Sequence, residues 1–296
     1  MRIVSLLPSA TEIAFELGLG DSLVGVTHEC DYPPEATTKT VVSASTLPTA
    51  GADAAEVDRL VASSIGDGEP IYRLDVDRFS ALQPDVILTQ DLCRVCAVPT
   101  GDVEEALDTL GCSAEVVSLD PSTVDEVIDS LVAVGRATGT EARATAAVAG
   151  LRARVDTVRA ATSGLDRPRA FALEWSDPPF NGGHWVPEMI ECAGGTAVLG
   201  STGAPSRRVA WDEIAAARPE LVVFMPCGYG LAEAAAEGRR LLERPELEGA
   251  GVVAVDASAY FSRPGPRLVD GIELLGWVLH PDAVAPPAAG RVEKLR

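Results

Sequence analysis

Short runs of branched apolar residues alternate with stretches of helical period along most of the 296-residue chain. At the start, RIVSLL reads as a strand, SATEIAFELGLG as a helix closed by glycine, and LVGVTH as a second strand. Strand, helix and strand at this spacing predict a βαβ unit. Ser9 precedes Glu12 by three residues, the spacing of a capping box at a helix start. Further on, PIYRLD and AEVVSLD are strand-like, while VDRLVASSIG, VEEALDTLG and TVDEVIDSLVAVGRATG are helix-like. PDVILTQD is a continuous apolar run of the kind buried in a parallel sheet. The first half therefore reads as an α/β lobe.

Residues 138–163 contain no proline and carry apolar side chains at Val148, Leu151, Val155 and Val158. They predict one helix of roughly 20 residues, about 30 Å long. SGLDRPR breaks it, and the alternation resumes with RAFALEW, WVPEMIECAGG, WDEIAAARPELVVFMP, GLAEAAAEGRRLLERPELEG and GVVAVD. The stretches FSALQPDVILTQDLC and IAAARPELVVFMPCG share a helix, a proline, an acid, an apolar strand and a cysteine, and read as a structural repeat. The expected fold class is α/β, with two Rossmann-like α/β lobes built on central parallel sheets and joined by one long α-helix. The expected boundaries are 1–137 for the first lobe, 138–164 for the connecting helix and 165–296 for the second.

Charge narrows the function. The formal net charge is −20, and Lys39 and Lys294 are the only lysines, so the clustered cations that phosphate contacts need are lacking and no nucleic-acid partner is expected. No run approaches the roughly 18 apolar residues of a membrane span, so no integral membrane protein is expected. The opening residues lack the pattern of a secretory signal, which predicts a cytoplasmic protein as written, or a periplasmic or extracellular one if this start is a mature one. Without that signal the six cysteines read as thiols rather than a disulfide framework. No Gly-Lys-Ser phosphate loop, Gly-x-Ser-x-Gly elbow or His-Glu-x-x-His helix occurs, which weighs against an enzyme.

The opening RIVSLLPSATEIAFELGLGDSLVGVTHECDYPPEA, the PDVILTQ strand, the long helix, and PELVVFMP followed by RPGPRLVDGIELLGWVLHP together resemble the class III, helical-backbone substrate-binding proteins of ABC importers. Among these the opening is most similar to cobalamin-binding members. The resemblance implies a monomeric receptor with a ligand cleft between its lobes and an ABC importer permease as partner. It also implies docking through acidic residues on each lobe, of which Glu12, Glu16, Glu56 and Glu213 are among many candidates.

In open parallel sheets ligands meet the carboxyl ends of strands. Those ends gather the chain's unusual residue types: Ser9; His28, Cys30 and Asp31; Asp91, Cys93 and Cys96; Glu174 and Trp175; Cys227 and Tyr229; and Tyr260, Phe261 and Arg263. His184 and Trp185, before a predicted helix, join them. Trp175, Trp185, Tyr229 and Phe261 can offer the flat apolar faces that a macrocycle needs. Cys93 and Cys96 read three ways: as contacts to a zinc or iron ion completed by His28, Cys30 or Cys227, as a redox pair, or as small buried side chains. Cys112, Cys192 and His280 are assigned structural roles. The expected function is a binding protein that clamps a corrinoid, such as cobalamin, or another metal chelate. The alternative is a cytoplasmic thiolate-metal protein or metalloenzyme using Cys30, Cys93, Cys96, Cys227 and His28.

Overall fold

The computed structural model describes residues 1–49, 51–67, 69–90 and 114–296. The chain forms two compact units, one of residues 1–121 with 128–149 and one of residues 122–127 with 150–296.

The first unit opens with β1 (Ile3–Ser5), α1 (Pro8–Glu16) and β2 (Leu23–Thr27). The expected capping box does not form: Leu7 is the extended residue before α1 and gives no side-chain cap, Pro8 takes the first turn, and Ser9 lies inside the helix. Proline suits that first turn, where its missing N–H costs nothing. At the other end Gly18 takes φ of +69°, the Gly18 N–H donates to the Phe15 carbonyl and the Leu19 N–H to the Ala14 carbonyl. These are the paired bonds of a Schellman turn, and they explain why the helix stops at that glycine.

There follow β3 (Thr40–Ser45), α2 (Ala54–Asp67), β4 (Tyr72–Leu74), α3 (Val76–Leu82), β5 (Val86–Thr89) and β6 (Glu115–Ser118). The six strands lie in the order β4-β3-β2-β1-β5-β6, parallel throughout except for β4 against β3. Val4, Leu6, Val42, Phe79 and Ile87 fill the face that α3 covers. The chain leaves β1 toward β2 on one side and β5 adds on the other, which makes the β1/β5 boundary the topological switch point of this sheet.

Two helices carry the chain onward, α4 (Val124–Thr138) and α5 (Glu141–Thr162). The predicted long helix is α5, and the partition between the units falls inside both helices, at 127/128 and at 149/150.

The second unit contains β7 (Arg169–Ser176), β8 (Pro179–Asn181), α6 (Val186–Cys192), β9 (Thr196–Ala197), α7 (Trp211–Ala217), β10 (Leu221–Phe224), α8 (Leu231–Leu241), β11 (Gly251–Val255), α9 (Ala257–Tyr260), α10 (Leu268–Leu279) and β12 (Val292–Lys294). Its sheet runs β12-β11-β10-β7-β8, with β9 beside β7. The β7, β10 and β11 core is parallel, while β8 and β12 pair antiparallel at the edges. Phe171, Leu173, Ile214, Val222, Phe224 and Val252 are at the centre of its apolar core. Arg154 of α5 binds Glu273 of α10 through Nε at 2.8 Å and also pairs with Asp270, so a charged clamp ties α5 to α10 within this unit. Among the described residues no helix is long and apolar enough to cross a membrane.

Candidate functional site

Each sheet presents its own group of side chains at the carboxyl ends of its strands. In the first unit β2 ends at Thr27, followed by exposed His28, partly buried Glu29, buried Cys30 and exposed Asp31. The Cys30 thiol is only 4% exposed; the Thr11 hydroxyl donates to it at 3.1 Å, and Thr27 Oγ1 lies 3.5 Å away. The Glu29 N–H donates to Thr27 Oγ1 at 3.1 Å, which fixes the turn. Tyr72 completes the group: its hydroxyl donates to Glu29 Oε1 at 3.4 Å, and its ring centroid lies 5.9 Å from that of His28.

The sequence reading missed Tyr72, because it searched only the residues that follow strands. Tyr72 begins β4, which runs antiparallel to β3 and sets Tyr72 opposite Ser45. An antiparallel edge strand brings its first residue, not its last, to the ligand edge. The signal available in PIYRLD was an aromatic residue at the head of a short strand.

The expected thiolate-metal set is not assembled by what is described. Asp91, Cys93, Cys96 and Cys112 lie outside the described residues. Among the described residues no group of three or more His, Cys, Asp or Glu side chains gathers so as to hold a metal ion. His28 is exposed while the Cys30 thiol is enclosed by hydroxyls.

In the second unit Glu174 and Trp175 stand near the end of β7, both partly buried. Tyr229 follows β10 through a turn at Gly228, where φ is +83°, and its ring meets Trp175 edge-on at 5.6 Å and 77°. Backbone bonds hold these strand ends together: the Cys227 N–H donates to the Glu174 carbonyl at 3.3 Å, and the Ser258 N–H to the Tyr229 carbonyl at 3.1 Å. Cys227 itself is exposed. On β8, Phe180 pairs with Trp175 across the strands, and the Arg208 guanidinium lies 5.6 Å over its ring. Phe180 was the second aromatic that the sequence reading passed over, again on an antiparallel edge strand.

Trp185 and Phe261 go the other way. Trp185 is 6% exposed, its indole N–H donates to the Phe261 carbonyl at 2.8 Å, and the Phe261 ring is 1% exposed. Their rings fill the interior of the unit and hold the segment before α6 to the segment after α9. Tyr260 is partly buried with the Arg291 guanidinium 4.8 Å over its ring and Arg267 at 5.9 Å; burial pushes its phenol pKa up despite these two cations. Arg263, three residues on, is partly buried. Of the structural assignments, Cys192 is buried with Arg159 donating to its sulfur at 3.1 Å, and His280 Nε2 lies 3.1 Å from the Gly194 carbonyl oxygen. Among the acidic candidates for docking, Glu16 and Glu56 are exposed, Glu12 is buried, and Glu213 is held by the Ala210 N–H and Arg207.

The NGGHW stretch that shapes this edge is tightly fitted. A Cβ on Gly183 would sit 2.1 Å from the Ser206 backbone nitrogen and 2.7 Å from the Pro205 carbonyl carbon, so Gly183→Ala must displace backbone. We expect a loss of about 1–3 kcal/mol of stability, the usual cost of overpacking, read as a lower urea midpoint.

His184 is partly buried at φ of +51°, and burial lowers its pKa. The unfolded chain therefore takes up this proton at a higher pH than the native one does. The stability so linked is fully present above the unfolded value of about 6.5 and is lost as pH falls through it toward the lower native value. Urea midpoints at pH 7.5 and 5.5 should differ more for the native chain than for His184→Gln; equal differences would remove His184 from this account.

Two open α/β units, each with aromatic and polar side chains at the carboxyl ends of parallel strands, define a ligand-binding protein of the two-unit receptor class. The chain belongs to the periplasmic binding protein family, which it matches over residues 3–251, and its resemblance to the class III members holds. It is 24% identical over 276 residues to the vitamin B12-binding protein of Vibrio cholerae, covering 92% of this chain and 86% of that one. It is 26% identical over 293 residues to an uncharacterized ABC transporter substrate-binding lipoprotein of Bacillus subtilis, covering 95% and 80%. The crystal structure of the periplasmic vitamin B12 binding protein of Vibrio cholerae superposes with a TM-score of 0.67 at 24% identity, over 94% of this chain and 96% of that one. A periplasmic haem-binding protein from Roseiflexus superposes with a TM-score of 0.69 at 22% identity, over 95% and 98%. The cytoplasmic reading finds no support here: the two solved structures are described as periplasmic and the Bacillus subtilis relative as a lipoprotein.

Proposed function

We propose that this chain is an extracytoplasmic receptor that binds a metal-centred macrocycle of the corrinoid class and delivers it to an ABC importer permease. The observation that carries the reading is the edge-to-face pair of Trp175 and Tyr229 at the carboxyl ends of β7 and β10, with Phe180 next to Trp175. Partly buried rings held by backbone bonds offer preformed apolar faces, and a flat, largely apolar ring system is what such faces match. In the first unit His28 and Tyr72 supply a second ring pair with polar atoms, suited to orienting a ligand rim or approaching a metal. Family membership and the vitamin B12-binding relatives favour a corrinoid over other chelates. The ABC-transporter relative supports a permease as the partner.

Equilibrium dialysis against cyanocobalamin and against haem, side by side, tests the ligand class. Retention of cyanocobalamin at one per chain supports the corrinoid reading. Retention of haem alone would move the function to a haem receptor on the same scaffold, and retention of neither would overturn it.

A further inference from the structure

The aromatic row of the second unit ends in a cation, and backbone pairing sets its order. Trp175 of β7 stands opposite Phe180 of β8, and Phe180 stands opposite Arg208 through an isolated antiparallel bridge. Residues directly opposite one another across strands share a face of the sheet. Trp175, Phe180 and Arg208 therefore form one row, with Tyr229 edge-on against Trp175 at its other end.

The backbone that carries Arg208 is held on both sides of it. The Asn181 N–H donates to the Arg207 carbonyl at 3.1 Å and the Val209 N–H to the Pro179 carbonyl at 2.9 Å, bonds that flank the Phe180–Arg208 pair without belonging to it. Such a non-hydrogen-bonded pair brings facing side chains closest. The Arg207 N–H also donates to Asn181 Oδ1 at 2.7 Å, which pins the segment to β8. Successive side chains of an extended segment alternate in direction, and the two arginines divide accordingly. Arg207 pairs with Glu213 of α7 at 3.4 Å, while the Arg208 guanidinium lies 5.6 Å over the Phe180 ring.

Arg208 is exposed while Trp175 and Phe180 are partly buried, so a flat ligand lying on the two rings meets a guanidinium at its rim. A guanidinium carries a fixed positive charge and five N–H donors, more than one partner uses. The chain as a whole carries a net charge of −20, so an anionic ligand group gains no general attraction and depends on a local cation. We propose that Arg208 is a specificity-determining residue of the aromatic edge, binding an oxyanion on the rim of the ligand that lies on Trp175 and Phe180. The chemistry is that of a phosphodiester or a carboxylate, whose oxygens accept charge-assisted bonds from paired guanidinium donors. Macrocycles that carry such a group are favoured over those that lack it. This role rests on the receptor reading of the same edge and adds a charge requirement to it.

Calorimetric titration of the native chain and of Arg208→Gln with two corrinoids separates the claims. Cyanocobalamin carries a phosphodiester, and dicyanocobinamide has the same ring without the nucleotide and its phosphodiester. Arg208→Gln should bind cyanocobalamin about tenfold more weakly than the native chain, the scale of one hydrogen bond to a charged group, and dicyanocobinamide within about twofold of it. Arg208→Lys, which keeps the charge but loses the paired donors, should recover part of the loss. Because Arg208 is exposed, Arg208→Gln should melt with the native chain, which rules out misfolding as the cause. Equal losses for both corrinoids, or none for either, would overturn the role of Arg208 and leave the receptor reading standing. If the native chain retains haem and neither corrinoid, the corrinoid reading falls, and haem against its dimethyl ester decides the role of Arg208. A loss in Arg208→Gln confined to the free acid supports the oxyanion contact, and equal behaviour of acid and ester overturns it. Retention of none of the four ligands would overturn both.

Discussion

Trp175→Ala should weaken binding of the corrinoid about a hundredfold, ~3 kcal/mol, the scale of a buried aromatic anchor at an interface centre. Trp175 combines the two properties that such an anchor needs. Its ring is partly exposed, so it has a face to give, and it is braced edge-on by Tyr229 at 5.6 Å and across the strands by Phe180, so little freedom is lost when a ligand packs on it. Partial exposure also means that alanine costs the free protein little. Dialysis or calorimetry should therefore record a large loss of affinity with a nearly unchanged melting temperature, and Trp175→Phe should restore most of the loss. Unaltered affinity in Trp175→Ala would remove the aromatic face from the mechanism.

The largest effect on stability is expected from Phe171→Ala, about 3–5 kcal/mol. Phe171 is fully buried on β7, pairs in register with Val222 of β10, and packs in the core of the second unit with Leu173, Phe224 and Val252. Truncation leaves a cavity that two parallel neighbours cannot close without moving their backbone. The expected loss is a large share of the 5–15 kcal/mol that holds a typical protein folded. All four tryptophans, Trp175, Trp185, Trp211 and Trp277, belong to this unit, so tryptophan fluorescence during urea unfolding reports on it alone. A midpoint within experimental error of the native chain would contradict the assigned core.

Parallel strands were legible because both their faces are covered. Ile3–Ser5, Val86–Thr89 and Gly251–Val255 are nearly continuous apolar runs in the chain and nearly all buried in the fold. The connecting helix was legible through what it lacks, having no proline or early glycine between Glu141 and Thr162. The antiparallel edges were less so. Pro179–Asn181 and Val292–Lys294 are three residues each, mix polar with apolar, and show no countable period, whereas Tyr72–Leu74 lies in the strand-like PIYRLD but gives no sign of its antiparallel direction. Phe180 was hidden with its strand, and Tyr72 by the unread direction of β4.

Depth was equally hidden. Trp175 and Trp185 both sit near strand or helix ends in one Gly- and Pro-rich stretch, yet the first keeps an exposed face and the second spends its N–H on Phe261 inside the unit. Residue type and chain position bring a side chain to the right edge, but its rotation toward ligand or core is decided by tertiary packing. The Ser9–Glu12 spacing shows the same limit, since Pro8 claims the first turn and moves Ser9 into the helix, where its hydroxyl no longer caps.

The most direct test of the receptor account is calorimetric titration of the purified chain with cyanocobalamin at two temperatures. The account predicts a saturable complex of one ligand per chain, with a negative heat-capacity change from the apolar surface buried against the aromatic edge. An absence of saturable heat at both temperatures, with no ligand retained on dialysis, would contradict it.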